Sequence, residues 1–261
     1  LYDFDEKSNN VHKNDLVEID KWIISEAIKL HEEVQKLNDN YAYHHVIQKI
    51  HNFCVHELGG VYLDIIKDRM YVTKSNSYAR RSAQFALFEV AEILIRLISP
   101  ILVFTAEEIW QSHELFKKQS VSIFMASQKL LSEIESSISD EDWKKIFAVK
   151  DAVNQSIEKA RADSVIKGSL DSKISISCDK KTFKALQKIE DELKFVFISS
   201  EVEIAESSSS GLGIEVTNFD QKKCIRCWNK CSSVGLYAED PEICSRCYTN
   251  VYGDGEIRKF V

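Results

Sequence analysis

The chain has 261 residues, of which 44% are hydrophobic and 29% are charged, so it can form a substantial core and is not expected to be disordered. Its formal net charge of −7 argues against general affinity for nucleic acid, so any such affinity must come from local cationic patches. Only two prolines and eight glycines occur, which leaves long stretches without helix-breaking residues. The composition therefore predicts a mainly α-helical protein.

The first predicted domain is a helical bundle over residues 1–139. Its apolar side chains recur at intervals of three and four residues, as they do on one face of an amphipathic helix. Long helices joined by short polar breaks pack most economically as a bundle. Gly59 and Gly60 fall inside one of these helices and are expected to kink it or to let a neighbour pack closely. The predicted helices cover residues 15–38, 41–71 and 78–98, followed by a short one from Thr105 to Trp110.

A small α+β subdomain is predicted over residues 140–206. A helix over 141–162 comes first, and the alternation of Ile174, Ile176 and Cys178 with polar residues then predicts a half-buried strand. Asp179 can cap a further helix that runs to about Leu193. The serine-rich residues 207–220 are predicted to be a linker, although a surface loop fits them equally well.

No membrane-spanning or signal segment is expected. The most apolar stretch, from Ala91 to Phe104, is short and contains Glu92, Arg96 and Pro100. The first residues are acidic and lack the basic and apolar pattern of a signal peptide. We therefore expect a cytoplasmic protein with no membrane partner.

The strongest chemical pattern lies in the last predicted domain, residues 221–261. Cys224 and Cys227 are separated by two residues, as are Cys244 and Cys247, and sixteen residues lie between the pairs. Four thiolates complete a tetrahedral shell, so we predict one structural zinc ion with no open position for catalysis. A pair of redox dithiols is the alternative. Cys231 could compete as a ligand, but the symmetry of the two pairs leaves it out.

Residues 221–261 contain few large aliphatic side chains, so the segment cannot form a core that folds alone. We expect the metal to hold it together.

The two cysteine pairs carry the same Cys-x-Arg-Cys-aromatic sequence, which gives Arg226 with Trp228 and Arg246 with Tyr248. We expect both arginines to project outward, where an arginine beside an aromatic ring can hold a phosphate and stack an unpaired base. In the alternative interpretation the rings cover the metal site and the arginines are solvated. Further candidate contacts are the cationic residues Lys222, Lys223, Lys67, Arg69, Arg80 and Arg81, of which the last four also suit helix ends for dipole reasons.

No catalytic residue is predicted. His51 and Cys54 share one helix face and could form a base and a thiol nucleophile, whereas His56 points elsewhere. A buried helical cysteine is usually inert packing. The sequence also contains no phosphate-binding glycine loop and no hydrolytic triad.

Several segments resemble the aminoacyl-tRNA synthetases. Residues 62–69, 80–84 and 100–110 resemble the helical anticodon-binding domain shared by the isoleucyl, valyl, leucyl and methionyl enzymes. Other segments are similar to the carboxy-terminal region of bacterial isoleucyl-tRNA synthetases. These are Val153-Asn154 with residues 158–161, residues 168–170, the repeated cysteine sequence and residues 253–261.

The resemblance implies that catalysis and tRNA binding belong to different parts of a longer protein. The family's catalytic domain, which uses ATP and Mg²⁺, and its editing domain lie upstream, and their signature motifs do not occur in this chain. The chain is then expected to be a non-catalytic, carboxy-terminal part that binds the anticodon arm of isoleucine tRNA as a monomer, with no DNA partner. The alternatives are a zinc-ribbon adaptor that binds protein, and the equivalent region of a valyl enzyme.

Overall fold

A computed structural model describes residues 3–4, 11–127, 131–207 and 211–261. It confirms the mainly helical class, the small sheet and the clustering of four cysteines. The chain divides into two compact units, one formed by Leu1–Asp64 with Arg81–Ser136 and the other by Ile65–Arg80 with Ser137–Val261. The partition expected from the sequence, with boundaries after residues 139, 206 and 220, differs from these units and stays a prediction. Residues 208–210 of the expected linker lie outside the described residues.

The helices predicted for the first 139 residues form with small shifts at their ends, except that the second is interrupted. In chain order the helices are α1 (Glu18–Asp39), α2 (Tyr43–Phe53), α3 (Asp64–Val72), α4 (Tyr78–Ile98), α5 (Val103–Ser112) and α6 (Glu114–Gln119), of which α6 was not predicted.

A π-helical stretch, Cys54–Leu63, separates α2 from α3. In the wider π turn a residue lies beneath the carbonyl five positions earlier. A Cβ atom at Gly59 would lie 2.9 Å from the carbonyl oxygen of Cys54, and one at Gly60 would lie 3.1 Å from that of Val55. The two glycines therefore have a more specific role than the expected kink, because they allow the backbone to adopt this helix type.

A buried carboxylate joins three segments of the first unit. Asp20 of α1 accepts a hydrogen bond from the Tyr62 hydroxyl at 2.7 Å and one from the Ser82 hydroxyl at 2.5 Å. The Ser82 oxygen in turn accepts the backbone N–H of Val17 at 2.9 Å. Because a buried charge is costly unless it is hydrogen-bonded, this network fixes α1 against the π-helical stretch and α4.

An aromatic cluster forms a second part of the core of this unit. The ring of Phe116 stacks on that of Phe88 at 5.1 Å and on that of Trp110 at 5.3 Å. The indole N–H of Trp110 donates to the carbonyl oxygen of Ser120 at 2.9 Å, so the fully buried tryptophan leaves no polar atom unpaired. The cluster packs α4, α5 and α6 together.

Strands β1 (Ser172–Cys178) and β2 (Glu201–Glu206) of the predicted α+β subdomain form a three-stranded sheet with β3 (Gly213–Asn218), which lies in the segment predicted to be a linker. The strand order is β2-β1-β3, with β1 parallel to β2 and antiparallel to β3. The alternation of buried and half-buried residues along β1 confirms the predicted strand. Asp179 caps α8 (Lys180–Gln187) as predicted, because its carboxylate accepts the N–H of Lys181 at 2.8 Å. The helix ends at Gln187, short of the predicted end near Leu193. The remaining elements of the second unit are α7 (Asp140–Ala162), β1 (Ser172–Cys178), α8 (Lys180–Gln187), α9 (Leu193–Val196), β2 (Glu201–Glu206), β3 (Gly213–Asn218) and α10 (Ser245–Tyr252).

Within the part of the chain that the structure describes, no helix has both the length and the apolar composition needed to cross a membrane.

Candidate metal centre and nucleic-acid interface

The four predicted ligands come together at one point. Cys224, Cys227, Cys244 and Cys247 are all buried, and their sulfur atoms lie within 4.8 Å of one another. Two of the sulfur pairs, Cys224 with Cys247 and Cys227 with Cys244, are separated by 3.7 Å. Zn–S bonds of about 2.3 Å in a tetrahedron place the sulfurs roughly 3.8 Å apart, so the arrangement is suited to hold one zinc ion.

Local backbone structure positions each pair. In the first pair the N–H of Trp228 donates to the carbonyl oxygen of Cys224 at 2.9 Å, which closes a tight turn. In the second pair Cys244 precedes α10 and Cys247 lies in the first turn of that helix. The N–H of Cys244 also donates to the sulfur of Cys224 at 3.3 Å, and such amide contacts stabilise a thiolate.

The electrostatics of the cluster favour a bound cation. Hydrogen bonds from Cys244 and Cys247 lower the pKa of Cys227, whereas donation to Cys227 raises the pKa of Cys244 to about 12 and also raises that of Cys247. Sulfurs this close cannot all be ionised unless a cation offsets their repulsion. Zn²⁺ supplies that charge and binds thiolates, so the donor set fits the predicted ion.

Cys231 lies outside the group of four. Its sulfur is 3.4 Å from the hydroxyl of Ser233, and the side chain packs against the cysteine cluster while staying partly exposed. Ile243 and Val72 complete this small core, with Val234 and Tyr248 at its edge. Because the apolar contacts surround the sulfurs, we expect the ordered structure of residues 221–261, which we call the zinc tail, to depend on the metal.

The first half of the repeat, Cys224 to Trp228, presents an aromatic ring to solvent. Trp228 is 63% exposed and has φ of 65°, a left-handed conformation that bulky residues rarely adopt. Lys222 and Lys223 are also exposed. Arg226 is only half-buried, but its guanidinium donates to the carbonyl oxygen of Val72 at 2.5 Å. The left-handed backbone of Trp228 costs conformational free energy, and its largely exposed ring gains little packing in return. Backbone strain of this kind is often found at binding sites.

The second half, Cys244 to Tyr248, is placed differently from the expectation that its arginine projects outward. The Arg246 side chain is 15% exposed and makes two hydrogen bonds to Asp68, of 2.5 and 2.9 Å. The Tyr248 ring stacks on Tyr237 with a centroid distance of 3.8 Å and packs against Tyr252 at 4.9 Å. Intramolecular partners therefore occupy the second arginine and the second aromatic ring.

The four basic residues around α3 and the start of α4 also differ from one another. Lys67 is exposed, whereas Arg69 is 1% exposed. Arg80 donates to the carbonyl oxygen of Met70 at 3.1 Å. Arg81, which belongs to the first unit, donates to the backbone oxygen of Asp3 at 2.7 Å. Lys67 is therefore the member of this set whose side chain is best placed to meet a ligand from solvent.

The thiol of Cys54 lies in the π-helical stretch, and burial raises its pKa. A raised pKa lowers the fraction of reactive thiolate at neutral pH. The assignment of Cys54 as a packing residue stays a prediction.

The residues that surround Arg246 could not be recognised from the sequence. Asp68, Phe195, Glu256 and Arg258 all lie around Arg246, yet no spacing rule joins positions so far apart in the chain. The only signal in the sequence was the mixture of opposite charges in the resemblance segments around residues 62–69 and 253–261.

Comparisons with known proteins agree with this architecture. The family described as the anticodon-binding domain of tRNA ligase matches residues 20–176, which is more than half of the chain. The chain therefore belongs to this family of tRNA-ligase anticodon-binding domains. A second family, described as a zinc finger found in FPG and IleRS, matches residues 221–250 and so includes all four clustered cysteines.

The similar curated proteins identify the particular enzyme that the chain resembles. The isoleucine–tRNA ligase of Pseudoalteromonas translucida (strain TAC 125) is 41% identical over 272 residues, which cover 100% of this chain and 29% of the relative. That of Alcanivorax borkumensis is 40% identical over 273 residues, with the same coverage. That of Ruthia magnifica is 40% identical over 256 residues, covering 94% of this chain and 27% of the relative. The chain thus spans less than a third of the relatives' length.

Proposed function

We propose that this chain is the carboxy-terminal, tRNA-binding region of an isoleucine–tRNA ligase and that it binds the anticodon arm of isoleucine tRNA. The observation that carries the proposal is the presence of both matched regions on one chain. An anticodon-binding domain is followed by a zinc finger of the kind found in IleRS, and the cysteines of that finger converge as a metal site requires.

In this proposal the chain contributes binding energy and orientation, and other parts of the longer protein perform the chemistry with ATP and Mg²⁺. Contacts made to a remote part of a substrate raise the rate of a reaction when they hold the reacting group in place. The zinc ion has a structural role, because four protein sulfurs leave no position for water or substrate. No residue of this chain is assigned to catalysis.

The contact surface that we propose centres on the exposed first half of the cysteine repeat. Trp228 presents an open ring face on which an unpaired base can stack, and Lys222 and Lys223 can neutralise the adjacent phosphates. Arg226, Lys67, Arg80 and Arg81 remain proposed contacts to the backbone of the RNA. Arg69, Arg246 and Tyr248 are proposed to support this surface through their packing, since each is enclosed by protein atoms.

Titration of the zinc-loaded chain with three tRNAs tests the proposal. Isoleucine tRNA should bind more tightly than valine tRNA, and both should bind more tightly than a tRNA read by a synthetase of unrelated fold. Tighter binding of valine tRNA than of isoleucine tRNA would favour the valyl alternative. Equal and weak affinity for all three would favour the protein-binding adaptor.

We further propose that the protein acts as a monomer in the cytoplasm. Light scattering of the chain with and without tRNA tests the first point. A mass of two chains per tRNA at working concentration would contradict it.

A further inference from the structure

Four separate segments of the second unit meet around two arginines. Asp68 of α3 accepts two hydrogen bonds from Arg246 of α10, and one of 2.9 Å from Arg258 in the residues after α10. Both guanidinium groups lie over the ring of Phe195 in α9, with centroid distances of 5.1 Å for Arg246 and 3.2 Å for Arg258. Glu256 lies 3.3 and 3.2 Å from the same two arginines. We call these five residues the Asp68 cluster.

The charges of the Asp68 cluster balance each other away from water. The Arg246 side chain is 15% exposed and lies within ion-pair distance of both Asp68, at 2.5 Å, and Glu256, at 3.3 Å. Arg258 is more enclosed, with 3% of its side chain exposed, and burial lowers its pKa. Two cations are thus held by two carboxylates and one aromatic face. Because charges are screened little in such a place, removal of one member leaves the others poorly compensated.

The cluster fastens the zinc tail to α3, and two more contacts join the same elements. Arg226, between the first two cysteines, donates to the carbonyl oxygen of Val72 at the end of α3. Lys74, just after α3, donates to the carbonyl oxygen of Gly253 at 2.8 Å. Val72 itself belongs to the same small core as the four cysteines. The turn that carries Trp228 is therefore held against α3 from both halves of the cysteine repeat.

We propose that Asp68 is a positioning residue for RNA binding: through Arg246 and Arg258 it fixes the zinc tail on α3 and thereby holds Trp228 in place for an unpaired base. The proposal rests on the function proposed above. Neither Asp68 nor Arg258 is offered as an RNA contact, since both act inside the protein. A surface that is ordered before binding loses less entropy on association, so loosening the cluster weakens binding even though every residue that touches RNA is still present.

The experiment uses the zinc-loaded 261-residue chain and four variants: Asp68→Asn, Arg258→Gln, Arg258→Lys and, as a control, Asp254→Asn. Asp254 is an exposed carboxylate in the same part of the zinc tail. Arg258→Lys keeps the charge but loses the forked geometry, so its effect should be intermediate even if the other two variants are too unstable to purify. Each variant is measured for zinc content, hydrogen exchange of residues 65–80 and affinity for isoleucine tRNA.

We expect one zinc per chain throughout. Exchange of residues 65–80 should be faster, and tRNA affinity lower, by about tenfold in Asp68→Asn and Arg258→Gln, with Asp254→Asn equal to the parent. Unchanged exchange in both variants would overturn the role of Asp68. Faster exchange with unchanged tRNA affinity would overturn its role in RNA binding. If the parent chain itself fails to bind isoleucine tRNA while the variants exchange faster, the proposed function fails and the fastening role of Asp68 stands.

Discussion

The two halves of the cysteine repeat have the same sequence pattern and opposite surroundings. In the first half Trp228 is exposed in a left-handed conformation, whereas in the second half Tyr248 stacks on Tyr237 and packs against the tilted ring of Tyr252. Arg226 donates to a backbone carbonyl from a half-buried position, whereas Arg246 is enclosed in an ion-pair cluster. Two segments with the same Cys-x-Arg-Cys-aromatic pattern can therefore each supply two metal ligands while one serves as a candidate binding surface and the other as an attachment to the protein.

The largest effect should come from removing the metal, on which both halves depend. Zinc in comparable small sites contributes on the order of 10 to 16 kcal/mol of apparent folding free energy, so chelation should unfold the zinc tail. The first unit, which has its own buried cores, should remain helical. Hydrogen exchange with and without a chelator measures both parts. Loss of protection in α1 together with α10 would show that the units are not independent.

The next largest effect should distinguish the two arginines. Arg246→Ala removes one partner from a largely buried ion pair and should lower the free energy of unfolding by about 3 kcal/mol. Arg226→Ala removes one hydrogen bond at a half-buried position and should cost about 1 kcal/mol. Urea denaturation of the zinc-loaded variants compares them directly. Equal losses would contradict the different roles assigned to the two halves.

When RNA binding is measured instead of stability, the first half of the repeat should show the larger effect. We compare Trp228 of the first half with Tyr248 of the second. Trp228→Ala removes a stacking surface worth about 1 to 3 kcal/mol, which lowers affinity for isoleucine tRNA roughly 5- to 150-fold. Its stability should change by no more than about 0.5 kcal/mol, because the ring is largely exposed. Tyr248→Ala should instead reduce stability. Unchanged tRNA affinity in a folded, zinc-loaded Trp228→Ala chain would refute the stacking assignment.

A smaller effect is expected from the lysines next to the first half. The double change Lys222→Glu and Lys223→Glu should weaken tRNA binding and flatten the salt dependence of the affinity, by about one unit of logarithmic slope for each phosphate that these lysines neutralise in the parent chain. The matched control is Lys180→Glu with Lys181→Glu on α8, which changes the net charge by the same amount away from the zinc tail. Equal effects of the two pairs would mean that only total charge matters.

The smallest effect is expected for Asp179, which lies outside the cysteine repeat. Hydrogen bonds from the Thr182 hydroxyl and from the Lys181 and Thr182 amides lower the pKa of Asp179, which caps α8. A group whose pKa is lower in the folded state stabilises the fold above its unfolded value, and this contribution is lost as the pH falls below the ordinary value of 3.8. Asp179→Ala should therefore be destabilising at neutral pH, and the difference from the parent should shrink in acid. A pH-independent difference would show that the carboxylate charge is not involved.

Features set by local sequence were predictable. The cysteine spacing gave the ligands, the alternation of Ile174 and Ile176 gave β1, and helical periodicity gave α1 and α4. These signals depend on residues a few positions apart, where backbone geometry fixes which side chains share a face.

The parts that could not be predicted depend on tertiary contacts. The outward arginine assumed for position 246 is enclosed because Asp68, 178 positions earlier, supplies its partner. The change to π-helix after Phe53 depends on the close approach of Gly59 and Gly60 to the carbonyl oxygens five positions earlier. The difference between Trp228 and Tyr248 depends on Tyr237, which lies outside both repeats.

Collisional quenching of tryptophan fluorescence is the most direct test of the asymmetry between the two halves. The chain has four tryptophans, of which Trp22, Trp110 and Trp143 are buried and Trp228 is exposed, so acrylamide reports chiefly on Trp228. Saturating isoleucine tRNA should protect this residue from acrylamide in the parent chain. If bound tRNA leaves the quenching of Trp228 unchanged, the first half of the repeat is not the binding surface.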